Sequence, residues 1–409
     1  MLIDFYKDWA SRFLIFGVFC LPLSVSLDNF IFLSALMSLL LFYFSPLSTP
    51  VPLKYCYVIG GGFLCWMMMT SFVFNQPDVL VWKQLSRYAR DGVVFAGVSL
   101  LVLKTRGWLL DNMCKGLVLG CLPGVVISLV CYSPVFFISG SINAWLRQLY
   151  DMLMVGSIPF GIMVVFSMVF CFLKGLKGSS RGYWAVGLVL SLYVMLCSGQ
   201  RLVMLLWFFA LIYMVYVYAR DVCSWRQMLG LFVVTLALGV VVMSYFSPHF
   251  YGGFAYGIKH LINPETNHIS ESISTRLFFH YICWQMLSSS WLYGFGLGSF
   301  NTHLNHFYAD KFKAFEIPLQ TPESSYAHIA AETGIVGLLL WVALIVFIFR
   351  CMGYLPERWR DFGYALWLFF IVATAIISTC VDHSSSMFFM TFLGGVVGMI
   401  QTSEQEAKV

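Results

Sequence analysis

Twelve runs of apolar residues follow one another along this chain, each close to the length that crosses a bilayer: roughly 12–27, 29–46, 55–75, 91–103, 113–133, 155–173, 182–199, 202–219, 228–247, 334–352, 361–380 and 384–401. A helix needs about 20 mostly apolar residues to span the hydrocarbon layer. Inside that layer only helices and closed barrels satisfy every backbone polar group. Hydrophobic residues make up 60% of the chain and charged residues 11%, where a soluble domain carries about 25% charge. The expected fold is therefore all-α: a polytopic membrane protein with about 12 transmembrane helices. The fourth run is the weakest, and its helix is expected to begin earlier, within Asp78–Ala89. The first run has no small-residue cleavage site after it and reads as an uncleaved anchor.

Lys and Arg set the orientation. With an even number of spans both termini lie on one side, and the 24 basic residues divide 15 to 9 in favour of that side. Its short loops carry most of the excess, which makes it cytoplasmic by the positive-inside rule. The chain then divides into helices 1–9 over residues 1–247, an external loop over 248–332, and helices 10–12 with a short cytoplasmic tail over 333–409. The tail, Thr402–Val409, reads as a frayed end. Of the 12 cysteines only Cys283 falls in the external loop and there is no Cys-x-x-Cys pair. They read as small buried hydrophobes rather than a disulfide framework. Gly60-Gly61-Gly62 lies inside a span without the Lys and Ser/Thr of a phosphate loop, and reads as a close helix-packing surface.

The external loop, Pro248–Glu332, is the one long polar interruption and holds seven of the eight histidines. A loop of this length is functional or disordered, and helical patterning, aromatics and glycines favour a folded cap. Ser272 or Ser274 can cap a helix running to about Leu287. On it Arg276 and His280 share one face, while Leu277, Tyr281 and Trp284 are expected to pack the other way. Gly294, Gly296 and Gly298 alternate, which suits a turn whose backbone approaches another surface closely; as a phosphate signal the series is weak. Thr321, Pro322 and Glu323 have the order of a helix cap, first position and acidic first turn. That helix should lead into the tenth span, with Gly334 near the membrane surface.

Taken together, several short motifs resemble the O-antigen ligase and O-antigen polymerase superfamily. They are Arg276 followed by aromatics, the run Tyr293-Gly-Phe-Gly-Leu-Gly-Ser-Phe300, and Tyr326…Glu332-Thr-Gly-Ile-Val-Gly337 before a span. The short turn Ser198-Gly-Gln-Arg201 and the late external Asp382 fit as well. The resemblance implies an inner-membrane enzyme, active at the periplasmic face, that moves a glycan from undecaprenyl diphosphate to a sugar hydroxyl. It implies no metal, no nucleotide and no other cofactor. Ligases of this kind use lipid A–core as acceptor; polymerases extend lipid-linked repeat units; related members glycosylate proteins. O-antigen ligase is the favoured reading and polymerase the alternative. A lipid-linked glycan transporter is weaker, because transporters tend to carry internal repeats and mid-membrane ionisable groups. Expected partners are the lipid-linked donor, the glycan acceptor and membrane lipids, with no nucleic acid.

The chemistry then says which side chains to look for. A lipid diphosphate leaving group needs cations, and arginine offers a planar, permanently charged fork. Arg201, in a tight hairpin between apolar spans, and Arg276 are the candidates. Lys83, Arg87, Arg90 and Arg147 are further external cations. The attacking hydroxyl needs a base, usually His, Glu or Asp. Ligases that the chain resembles begin the last external helix with His-Asn, where this chain has Glu323-Ser324. Glu323 replaces that histidine as base, or is only a helix-start residue, or His328 does the work instead. Asp382-His383 and His280 are secondary candidates. His303-x-x-His306 lacks a third and fourth metal ligand at standard spacing.

Overall fold

The computed structural model of the protein describes residues 2–23, 29–44, 51–74, 79–105, 107–132, 157–176, 180–197, 200–220, 273–304, 324–376 and 383–400, with isolated positions between 224 and 237. Among these residues the chain is helical and has no strand. The helices are α1 Leu2–Cys20, α2 Asn29–Phe44, α3 Val51–Phe74, α4 Val79–Thr105, α5 Trp108–Tyr132, α6 Ser157–Leu176, α7 Arg181–Cys197, α8 Arg201–Ala219, α9 Ile273–Ser289, α10 Ser325–Met352, α11 Glu357–Ile376 and α12 His383–Gly398. Six contain segments long and apolar enough to cross a membrane: α3, α5, α6, α8, α10 and α11. Apolar stretches of α2, α7 and α12 are shorter. Helix α4 begins at Val79, the earlier start its charged first half suggested. Most of the apolar run 228–247 lies outside the described residues.

The bundle has two chemically different ends. At one, Lys115 and Lys174 both pair with Asp111, Lys174 stands 5.4 Å from the Trp359 ring, and Arg220 grips Asp361 with both guanidinium nitrogens at 2.6 and 3.1 Å. At the other end α9 and the residues after it fold onto α10, α3 and α4. Between the ends the core is almost wholly apolar, with phenylalanines 166, 388, 389 and 392 packed edge-on or tilted at its centre.

Glycine lets two of these helices touch. On α12, Gly394 and Gly398 sit four apart against α4, and a Cβ at Gly394 would stand 2.6 Å from the Phe95 carbonyl oxygen. This small-x-x-x-small contact is how membrane helices approach closely without a hydrophobic driving force. The triple glycine of α3 corrects the expectation from sequence. A Cβ at Gly60, Gly61 or Gly62 would meet nothing within 4 Å, so no described helix packs there. A glycine series in a span licenses close approach; whether a neighbour uses it depends on where the adjoining helices go. Here α2 lies along α4, and α3 lies along α10.

Candidate functional site: a glycine hairpin closed on Glu332

Helix α9 ends at Ser289, and the chain turns through 291–298 into a helical turn over 299–304. Gly294, Gly296 and Gly298 have φ of 70°, 84° and 79°, the left-handed region in which only glycine is unstrained. The turn runs against α10 at Gly334, itself at φ 68° and ψ −171°. That residue breaks α10 into a short outer helix and a long membrane helix. Two backbones meet here: Ile335 N–H donates to the Trp291 carbonyl at 2.8 Å, and Gly296 N–H to the Glu332 carbonyl at 2.8 Å. A Cβ at Gly294 would lie 2.5 Å from the Glu332 carbonyl carbon. The close backbone approach expected of the alternating glycines is therefore found.

The Glu332 carboxylate sits inside this turn. Its Oε1 accepts from Gly298 N–H at 2.9 Å and from Phe300 N–H at 3.4 Å. Gln84 of α4 accepts from the same Gly298 N–H at 2.9 Å, and Ser71 of α3 accepts from Leu297 N–H at 3.1 Å. Trp66 of α3 donates to the Thr333 carbonyl at 2.9 Å. The hairpin amides are thus occupied by side chains of this chain, which argues against their serving as a phosphate cradle. His328, one helical turn before Glu332, brings Nε2 to 3.1 Å from Glu332 Oε1. Its orientation misses hydrogen-bond geometry, and Nδ1 has no partner among the described residues. Both residues are 1% exposed. Burial of a carboxylate is tolerated only when its lone pairs are met; two backbone N–H groups meet Oε1, and the imidazole lies beside it. Burial, with the nearby Glu332 carboxylate, also pushes the Cys283 thiol up to about 12, so it stays protonated.

Two sequence expectations are corrected around this site. Helix α10 is capped by Ser324, whose hydroxyl accepts from Ala327 N–H, not by Thr321. Glu323 therefore precedes the cap instead of lying in the first turn. Serine caps as well as threonine does or better, and the position nearer the apolar run prevails. On α9 the packed face is Phe279, Ile282, Cys283 and Met286, against Phe300, Leu304 and Ala331. Tyr281 and Trp284 are exposed, and His280 is exposed beside them.

Arg201 is the first residue of α8 and Arg276 the fourth of α9; their side chains lie outside the described residues, as do Glu323, Arg147 and Asp382. His383 opens α12. Lys83 is exposed on α4, next to Gln84. His303 packs edge-on against Phe295 at 4.6 Å. Near the same end, Asp91 is held by Ser386 at 3.3 Å and Arg90 at 3.4 Å. Sequence reasoning quoted Glu332 only as part of a motif and passed over Gln84, Ser71 and Trp66. A carboxylate two residues from the mouth of an apolar span is costly unless engaged, and that signal could have singled out Glu332.

Gly294→Ala is expected to destabilise the protein by at least about 2 kcal/mol, combining left-handed strain with overpacking. Gly60→Ala, facing open space, should change stability by no more than about 0.5 kcal/mol. Denaturant titration of both variants in detergent micelles measures the contrast.

Residues 186–342 match the family model described as O-antigen ligase. The matched segment contains α8, α9, the glycine hairpin and the kinked start of α10, and it supports the chain's place in the O-antigen ligase superfamily. No curated protein matches the chain.

Proposed function

We propose that this chain, with its O-antigen ligase segment at residues 186–342, transfers a glycan from undecaprenyl diphosphate to a sugar hydroxyl of lipid A–core. The reaction takes place at the periplasmic face of the inner membrane. The observation that carries the reading is the docked hairpin. A buried Glu332 fastens the turn after α9 to α10, while Gln84 and Ser71 fasten it to α4 and α3. That junction fixes α9, which bears Arg276, against the start of α10, the helix that Glu323 precedes in sequence. Sites built on fixed helices keep reacting groups within the tolerance that transfer chemistry needs.

In this reading Arg201 and Arg276 hold the diphosphate and stabilise the charge that develops as the anomeric carbon–oxygen bond breaks. Glu323, outside the Ser324 cap, accepts the proton of the attacking acceptor hydroxyl. His328 is enclosed with Glu332 and acts behind the site, holding the hairpin rather than touching substrate. Lys83 and Arg147 are available to lipid headgroups or diphosphate at the same face, with His280 and Asp382 as secondary polar contacts. The spans, about twelve with both termini inside, keep the polar loop external.

Lipopolysaccharide from a deletion strain tests the reading. Loss of a ligase leaves core without O-antigen while polymerised glycan accumulates on its lipid carrier. Core bearing a single repeat unit would instead assign the chain as a polymerase.

A further inference from the structure

Two lysines from different helices converge at the end of the bundle away from the hairpin. Gln84, which holds the hairpin, and Lys104 are 20 residues apart on α4, about 30 Å at ~1.5 Å per residue. A bilayer's hydrocarbon layer is about 30 Å thick, so with the hairpin at one surface Lys104 stands at the other. Gly97 of α4 lies against the Ala35 backbone of α2, and two turns further on Lys104 Nζ donates to the Leu41 carbonyl at 3.5 Å. On the α1 side, Ser34 of α2 donates to the Ala10 carbonyl at 2.7 Å. Lys7 lies nearly one turn closer to the same end, and its side chain leans toward the α1 N-terminus, in the direction of Leu41. The two ammoniums act on each other: burial first, and the Lys7 charge second, push Lys104 below its ordinary value. Neither lysine pairs with a carboxylate among the described residues. The dipole of α2 favours a cation beside its last carbonyls, which accounts for Lys104 and leaves Lys7 without a reason to approach it. Exposed rings mark the same level, Tyr6 and Trp9 on α1 and Tyr43 on α2, as Tyr and Trp do at the depth of lipid headgroups.

We propose that Lys7 and Lys104 together hold the phosphate of one anionic bilayer phospholipid, between α1 and α4 beside the end of α2. Two ammoniums of like sign repel, and an anion set between them turns that repulsion into attraction. The contact to Leu41 uses one of the three N–H donors of Lys104, and an ammonium keeps the other two for a phosphate oxygen. A lipid delivers its phosphate at this depth. Leu33, Leu36 and Leu40 form an exposed apolar stripe on α2 running inward from Tyr43, along which its acyl chains can lie. Phosphatidylcholine fits less well, because its quaternary ammonium brings a third cation to the site. Helices α1 and α4 are joined mainly through α2, and the phosphate links them directly. The site is independent of the transfer chemistry at the other surface.

Native mass spectrometry of the full-length protein, released from micelles containing equal phosphatidylglycerol and phosphatidylcholine, tests this. The wild type should retain phosphatidylglycerol in preference. Lys7→Gln and Lys104→Gln should each lower that preference by about fivefold, the worth of one lysine at an anionic surface. Lys115→Gln removes the same charge at the same end, but Lys115 already pairs with Asp111, so it should stay within about twofold of wild type. Because the two lysines share one phosphate, the double variant should lose less than the product of the single losses. Unchanged preference in Lys7→Gln and Lys104→Gln, or a loss equal to that of Lys115→Gln, overturns the site; single losses that multiply overturn the shared phosphate. Melting of the wild type needs no variant. The melting point should be higher in phosphatidylglycerol than in phosphatidylcholine, since a ligand of the folded state stabilises it, and millimolar inorganic phosphate should not reproduce the rise. No rise, or a rise matched by inorganic phosphate, overturns the lipid assignment.

Discussion

Arg201→Ala is expected to lower glycan transfer by about 10²–10³-fold, the loss seen when one preorganised donor to a developing negative charge is removed. Arg276→Ala should do the same. In the proposed reaction the leaving group is a lipid diphosphate, and these two arginines are the principal cations assigned to its oxygens. The positions of the two residues strengthen the argument. Arg201 is the first residue of α8 and Arg276 the fourth of α9. A cation in a first turn opposes the helix macrodipole by about 0.3–1 kcal/mol. An anion bound there reverses the sign, because free backbone N–H groups and the arginine then act on it together. Arg→Lys should rescue poorly at both sites, since a point charge does not reproduce the guanidinium fork. Transfer from purified lipid-linked glycan, at matched membrane yield and matched melting behaviour, is the measurement. Wild-type rates for either Ala variant would remove that residue from the diphosphate site.

Much of this architecture is legible in the sequence because membrane helices announce themselves by length and apolarity. The early start of α4, the extent of α9 near Leu287 and the left-handed glycines of the hairpin all follow from local chemistry. What stays hidden needs contacts between distant residues. Nothing near Glu332 in sequence indicates that its carboxylate closes on Gly298, 34 residues away. The packed face of α9 is hidden for another reason. Residues 277–284 are apolar or aromatic at every position except His280, so periodicity cannot choose between Tyr281 and Ile282. The cap of α10 is ambiguous because Thr321-Pro322-Glu323 and Ser324 each have the chemistry of a helix start. Glycine misleads in both directions. Gly394 and Gly398 bring α12 onto α4, whereas Gly60–Gly62 face empty space.

Glu323→Gln should reduce transfer by about 10²–10⁴-fold, the contribution typical of proton transfer by a positioned base. Amide and carboxylate have nearly the same shape, so donor binding and fold should persist, and the loss should fall on turnover. Glu323→His should retain part of the activity, because histidine stands at this position in the ligases the chain resembles. The enclosure of His328 sets the contrasting expectation. On the proposed reading His328, 1% exposed with its imidazole 3.1 Å from Glu332 Oε1, supports the hairpin rather than meeting the acceptor. His328→Ala should therefore act through stability. It removes one partner of a buried carboxylate, lowering the melting point while leaving the turnover of the folded fraction within a few-fold of wild type. His328→Gln, which keeps a donor near Glu332, should recover the melting point. Rates are to be measured across pH 5 to 9, with melting curves on the same preparations. If Glu323→Gln stays within about threefold of wild type, far short of what loss of a base costs, while His328→Ala is fully folded and inactive, the roles are reversed. Glu323 would then be a residue before a helix cap, and the hairpin would have to open for His328 to reach the acceptor.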